Sequence, residues 1–134
     1  MNLADVMDDL GSALETIPDL RVFPYWADRV SPPAAVVTWP DPLTYDETMT
    51  RGSDRMTVPI IVMVGKVDAR STRDAAGQYA DGSGTHSVKA ALESFTATAY
   101  DTVRVERAEF GVIIVAAVEL LSITFYVDVF GQGS

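Results

Sequence analysis

The sequence predicts an α+β domain: a mainly antiparallel sheet flanked by two main helices, with a projecting β-hairpin. Three observations carry this. Apolar residues between 3 and 17 recur with a helical period. Those in 55–64 and 121–129 alternate with a period of two. The predicted elements run α-β-β-β-α-β-β, helices and strands interleaved without the regular βαβ alternation of a parallel sheet. At 134 residues the chain has the size of one domain, and residues 1–134 are read as one.

The first element is the clearest. Leu3, Val6, Met7, Leu10, Leu14 and Ile17 form one stripe of a 3.6-residue period. Asn2 is the expected N-cap, Asp5 and Asp8 suit the positive end of the helix dipole, and Pro18 follows the stop. A short extended piece is expected over Leu20–Trp26. Proline cannot donate to a ladder, so Pro33 is expected just before a strand over Ala34–Trp39, and Pro40 ends it.

Leu43 to Val64 reads as strand, turn and strand, with Gly52 in the connection. Met56, Val58, Ile60, Val62 and Val64 share one face of the second arm. Arg55, Thr57, Pro59, Ile61 and Met63 share the other. The outer hairpin holds few apolar residues and is expected to project from the core. Residues 66–82 are a polar helix at most, broken by Gly82-Ser83-Gly84. A second main helix is expected from Ser87 to about Ala97, with Val88, Ala91, Leu92 and Phe95 on its stripe. Val103–Glu109 alternates, Gly111 permits a turn or bend, Val112–Val118 is an apolar run, and Leu121–Val129 is a half-buried strand.

Charge and composition exclude several functions. Ten basic and nineteen acidic side chains leave −9, which disfavours non-specific DNA binding through a basic footprint. Residues 1–50 hold nine acids against two arginines, −7, and the rest ten acids against eight bases, −2, so one surface is expected to be more negative. Without cysteine there is no disulfide, thiolate metal site or cysteine nucleophile. The acidic N-terminus lacks the basic start of a secretory signal. The run from Phe110 to Phe130 contains Glu119 and Asp128, which a spanning helix would strand in hydrocarbon, so a soluble chain without a membrane partner is expected.

Chemically suggestive residues have plainer readings. His86 is the only histidine; it could serve as a general base, but its place just before a helix suits a capping segment. Asp81-Gly82-Ser83-Gly84-Thr85 resembles the middle of a calcium loop, yet Tyr79 and Ala90 would stand where carboxylates are required. It lacks the marks of a phosphate loop and reads as a hinge between helical segments. The carboxylate pairs Asp8-Asp9, Asp46-Glu47 and Glu106 with Glu109 read as solvated faces. No catalytic residue, metal site or cofactor is expected. Tyr25, Trp26, Trp39 and Tyr45 cluster around the projecting hairpin, and such aromatics are enriched at interfaces. Trp39 is expected to cap the sheet core.

The order of these signatures carries a resemblance. They are the short N-terminal amphipathic helix, Pro32-Pro33-Ala34-Ala35-Val36-Val37, and a Tyr-x-x-Thr hairpin (Tyr45 to Thr48) ending in Arg51-Gly52. Val62-Met63-Val64-Gly65, Ser87-Val88-Lys89-Ala90-Ala91-Leu92 and a last alternating strand follow. Over nearly its whole length the chain resembles the small tail-terminator, or tail-completion, proteins of long-tailed bacteriophages. The resemblance implies a viral structural protein, not an enzyme. It would form a homo-oligomeric ring, usually a hexamer, at the head-proximal end of the tail in the virion, and be present in the host cytoplasm during assembly. Its partners would be the major tail tube protein and the head–tail connector protein, and DNA would slide through the pore without specific binding. Part of the acidic excess is expected to line that pore. The subunit interface is expected on the hairpin, at Tyr45, Glu47, Met49, Arg51 and Arg55.

Two other readings stand beside it. One is a head–tail connector or neck protein of the same phage type, similar in size and composition. The other is a small α+β enzyme or ligand-binding module with His86 or a carboxylate in an apolar pocket.

Overall fold

The computed structural model describes residues 2–23, 32–40, 43–44, 53–115 and 117–132. The fold is α+β. Three helices lie on one face of a mixed six-stranded sheet. Helix α1 (Leu3–Leu14) starts as its sequence requires, with Asn2 Oδ1 accepting from the Asp5 N–H at 3.1 Å. Its stripe of Val6, Met7, Leu10 and Leu14 is buried, and one further turn carries Ile17 into the core. Helix α2 (Arg70–Ala80) and helix α3 (Val88–Ser94) complete the layer. Ser87 caps α3, its Oγ accepting from the Ala90 N–H at 3.1 Å.

The strands are β1 (Arg21–Phe23), β2 (Ala34–Val37), β3 (Leu43–Thr44), β4 (Ser53–Lys66), β5 (Thr102–Val115) and β6 (Val118–Gln132). Their spatial order is β1-β2-β4-β6-β5, and β3 pairs with the start of β4. The β1–β2 pair is parallel and the others are antiparallel. Helix-facing residues of β4 and β6 alternate as the pattern predicts. Met56, Val58, Ile60 and Val62 meet Val129, Val127, Phe125 and Ile123 in register, all buried. At a few kcal/mol per large buried side chain, this double row and the α1 stripe are the main source of stability. A Cβ on Gly65 would stand 2.7 Å from buried Thr72 Oγ1, so only glycine lets α2 approach β4 this closely. On the opposite face a second cluster gathers buried Ala34, Val36, Met63 and Leu120.

Several expectations are corrected. The segment over 66–82 holds a true third helix: Thr72, Ala76 and Tyr79, at i, i+4 and i+7, are buried although most of its surface is polar. The second main helix ends at Ser94 rather than near Ala97. No turn occurs at Gly111, where β5 runs straight through opposite Ser122. The reversal comes between Val115 and Val118, which pair with each other, with Ala117 at φ 65°. Two-residue hairpin turns favour glycine or asparagine at such angles, so an alanine pair carried no turn signal. Trp39 does not cap the core and is 67% exposed. The strand expected over Leu20–Trp26 is described for Arg21–Phe23 only. The projecting part of the first hairpin, 45–52, lies outside the described residues.

Candidate functional site

Of the residues expected at a subunit interface, Tyr45, Glu47, Met49 and Arg51 lie outside the described residues. Arg55 is described; it pairs within its own sheet and its side chain stays 37% exposed. On β4, Arg55 and Thr57 share the face away from the helices, and Asp128 of β6 lies directly across from Thr57. Thr57 Oγ1 donates to Asp128 Oδ1 at 2.9 Å, and the Arg55 guanidinium donates to Asp128 Oδ2 at 3.3 Å. Asp128 is buried, so both bonds offset the cost of removing its charge from water. The Arg55 guanidinium also lies 5.7 Å from the centre of the Phe130 ring, and Arg107 stacks over Tyr126 at 4.0 Å. These contacts tie β4, β5 and β6 together across the face away from the helices.

The exposed surface lies elsewhere. Strand β5 is at the sheet's edge, with β6 on one side and no described strand on the other. An open edge is a template for another chain unless something blocks it. The first half of β5 is blocked in three ways. Helix α3 places Glu93 against it, so that Oε2 accepts from the outward Val105 N–H at 3.0 Å. A bulge at Glu106 breaks the register between Val105 and Arg107. Arg104, Glu106, Arg107 and Glu109 add exposed charges. Burial pushes the Glu93 carboxyl up in pKa. Hydrogen bonds from Lys89 and Val105, with the charges of Lys89 and Arg104, outweigh burial and hold it below the usual glutamate range.

All three devices stop at Glu109. From Phe110 to Val118 the chain carries no charge. On the helix side of the sheet, Phe110, Val112 and Ile114 form an i, i+2, i+4 stripe outboard of the helices, 60%, 53% and 70% exposed. Trp39 is the other large exposed hydrophobe that stands out, just past the end of β2, where the Thr38 N–H reaches Pro59 O at 3.1 Å. An exposed apolar ribbon on an open strand is suited to adding another protein surface by backbone pairing and side-chain packing.

Sequence reasoning found neither patch. The run Val112–Val118 was visible, but apolar runs ordinarily signal a buried strand. Its position at the edge, beyond the reach of the helices, exposes one of its two faces, while Ile113 and Val115 on the other pack toward the second cluster.

His86 sits where the capping reading puts it, one residue before the Ser87 cap. Its Nδ1 lies 3.3 Å from Thr85 Oγ1, and its ring meets Tyr79 edge-on at 6.3 Å. Gly84, at φ 108°, reverses the chain between α2 and α3, and Ser83 N–H donates to Asp81 Oδ1 in the same turn. A cleft of about 280 Å³ beside this turn is lined by Thr85 and Ser87 but not by His86. Another, of about 340 Å³, lies between Lys66–Asp68 and the β5–β6 turn. Among the described residues there is no group of three or more metal-ligating side chains, and no described helix is long and apolar enough to cross a membrane.

No protein-family model matches the chain, and no curated protein matches it.

Proposed function

We propose that this protein is a tail terminator of a long-tailed bacteriophage. Copies of it form a ring, with six subunits the reference stoichiometry, on the head-proximal end of the tail tube. The ring stops tube polymerisation and offers its outer surface to the head–tail connector. DNA passes through the acidic pore without specific binding. The observation that carries the reading is the bare half of β5: an uncharged, apolar stretch on an otherwise strongly acidic chain. Ring assembly needs such a surface. The resemblance in element order and chain length supplies the identity of the ring, and the net charge of −9 suits a channel that must not hold DNA.

Deleting the gene from the phage that carries it tests the reading. The expected result is tails of uncontrolled length, seen by electron microscopy. Tails of normal, uniform length that fail to join heads would identify a connector instead. Normal tails on infectious particles would overturn both.

A further inference from the structure

We propose that Asp81 and Gly82 form a site of spontaneous covalent modification, where the peptide bond passes through a cyclic imide to an isoaspartyl link and helix α3 is loosened. The reaction needs only the chain and water, and it is independent of what the chain assembles with.

Of the thirteen aspartates, Asp81 alone is followed by glycine. Ring closure requires the backbone nitrogen of the next residue to reach Asp Cγ, and a residue without Cβ lets its backbone approach most closely. The Gly82 nitrogen attacks Asp81 Cγ, the N–Cγ bond forms, and the Cγ–OH bond breaks. The amide proton and that hydroxyl leave as water, and a cyclic imide remains. Water then opens the imide at either carbonyl. Cleavage between the nitrogen and Cγ restores aspartate. Cleavage between the nitrogen and the main-chain carbonyl carbon leaves Gly82 attached through the side chain, and the former main-chain carbonyl becomes a free carboxylate. Net charge and mass are unchanged, but the backbone gains one carbon.

Asp81 lies just past the end of α2, at φ −63° and ψ 150°, outside helical geometry. Asp81 and Gly82 are both exposed, and a Cβ built on Gly82 would meet nothing within 4 Å, so no packed neighbour obstructs the ring. The carboxyl is already folded forward. Asp81 Oδ1 accepts from the Ser83 N–H at 3.4 Å, so it lies against the backbone that follows it, where closure occurs. One bond opposes closure. The Asp81 carbonyl oxygen accepts from Ser87 Oγ, and the same Oγ caps α3 by accepting from the Ala90 N–H. Rotation about the Asp81 ψ must break the bond to Ser87, an opening confined to one surface turn. That bond also sets the consequence. An extra backbone carbon shifts the Asp81 carbonyl away from Ser87, and the cap of a helix only seven residues long loses the contact that places it.

Ageing the purified, folded chain in neutral buffer tests the site. Isoaspartate should accumulate at position 81, read by electron-based fragmentation of the peptide that contains it. In heavy-oxygen water the same residue should take up the label. Asp81→Glu and Gly82→Ala, both at exposed positions, should lose the isoaspartate while keeping the native circular dichroism. Neither isoaspartate nor label at Asp81 in the folded chain, under conditions in which the free peptide 78–88 acquires both, would overturn the proposal. So would equal accumulation in Gly82→Ala. Amide exchange over 88–94 should be faster in the isomerised fraction than in the fresh chain. Equal exchange would overturn the effect on α3 and leave the modification standing.

Discussion

Asp128 is the residue on which the sheet's second face depends. A carboxylate 3% exposed is tolerable because Thr57 and Arg55 both donate to it. Arg55 keeps contact with water, at 37% side-chain exposure, and can rehydrate if its partner is lost. Replacing Asp128 with Ala is therefore expected to cost about 1–3 kcal/mol, chiefly through the stranded Thr57 hydroxyl and the lost charge-assisted bond. Asp128→Asn, which retains an acceptor oxygen, should cost less. Urea unfolding of the two variants beside the unaltered chain checks the order, and midpoints equal to that of the unaltered chain would mean that the network adds no stability. Tyr100 is the counter-example on the helix side. Its hydroxyl is buried without a hydrogen-bond partner, and burial, with the nearby Asp9 charge, pushes its pKa up to about 12. None of this was readable beforehand. The alternation that places Asp128 opposite Thr57 was evident on each strand, but their register was not.

At the scale of elements, β5 is two strands in one. Its first half is shielded by α3 through Glu93, and its second half is bare. The Glu93 carboxyl is held below its ordinary pKa in the folded chain, so its contribution is present above the unfolded value and lost as pH falls through the folded one. Glu93→Gln should therefore be less stable than the unaltered chain near neutrality, with the difference closing as the medium becomes acidic. Stability measured in denaturant at several pH values checks this. A difference that stayed constant with pH would show that the carboxylate's charge has no part in holding the edge. Only the elements with a strong hydrophobic period were legible in the sequence. Helix α1, with its Asn2 cap, and the faces of β4 stood out. Helix α2 did not, because two small residues and a tyrosine make a weak stripe, and neither did the β5–β6 turn, because Ala116-Ala117 lacks turn chemistry.

For the whole molecule the controlling fact is a charge of −9, carried beside an exposed apolar stripe on the edge strand β5. If apolar contacts hold copies of the chain together, its net charge opposes assembly. Added salt should then strengthen self-association, since at about 0.1 M the screening length falls to about 10 Å. Sedimentation at low and physiological ionic strength measures the direction. Weakening with salt would mean that ion pairs carry the contact. The interface expected on the first hairpin falls mostly on residues outside the described ones.

The amino-acid order alone determined the class of fold, the helix-facing row of the central strands, the start of the first helix, the hinge before Ser87 and the excess of negative charge. Each follows from local periodicity, capping chemistry or composition, which neighbouring residues carry in themselves. Which strand ends at an edge, where three helices stop covering a sheet, and that Trp39 and the Phe110–Ile114 stripe remain in water were decided only by the tertiary structure. Burial is a property of what arrives from distant parts of the chain, and an apolar residue reads the same whether or not anything comes to cover it.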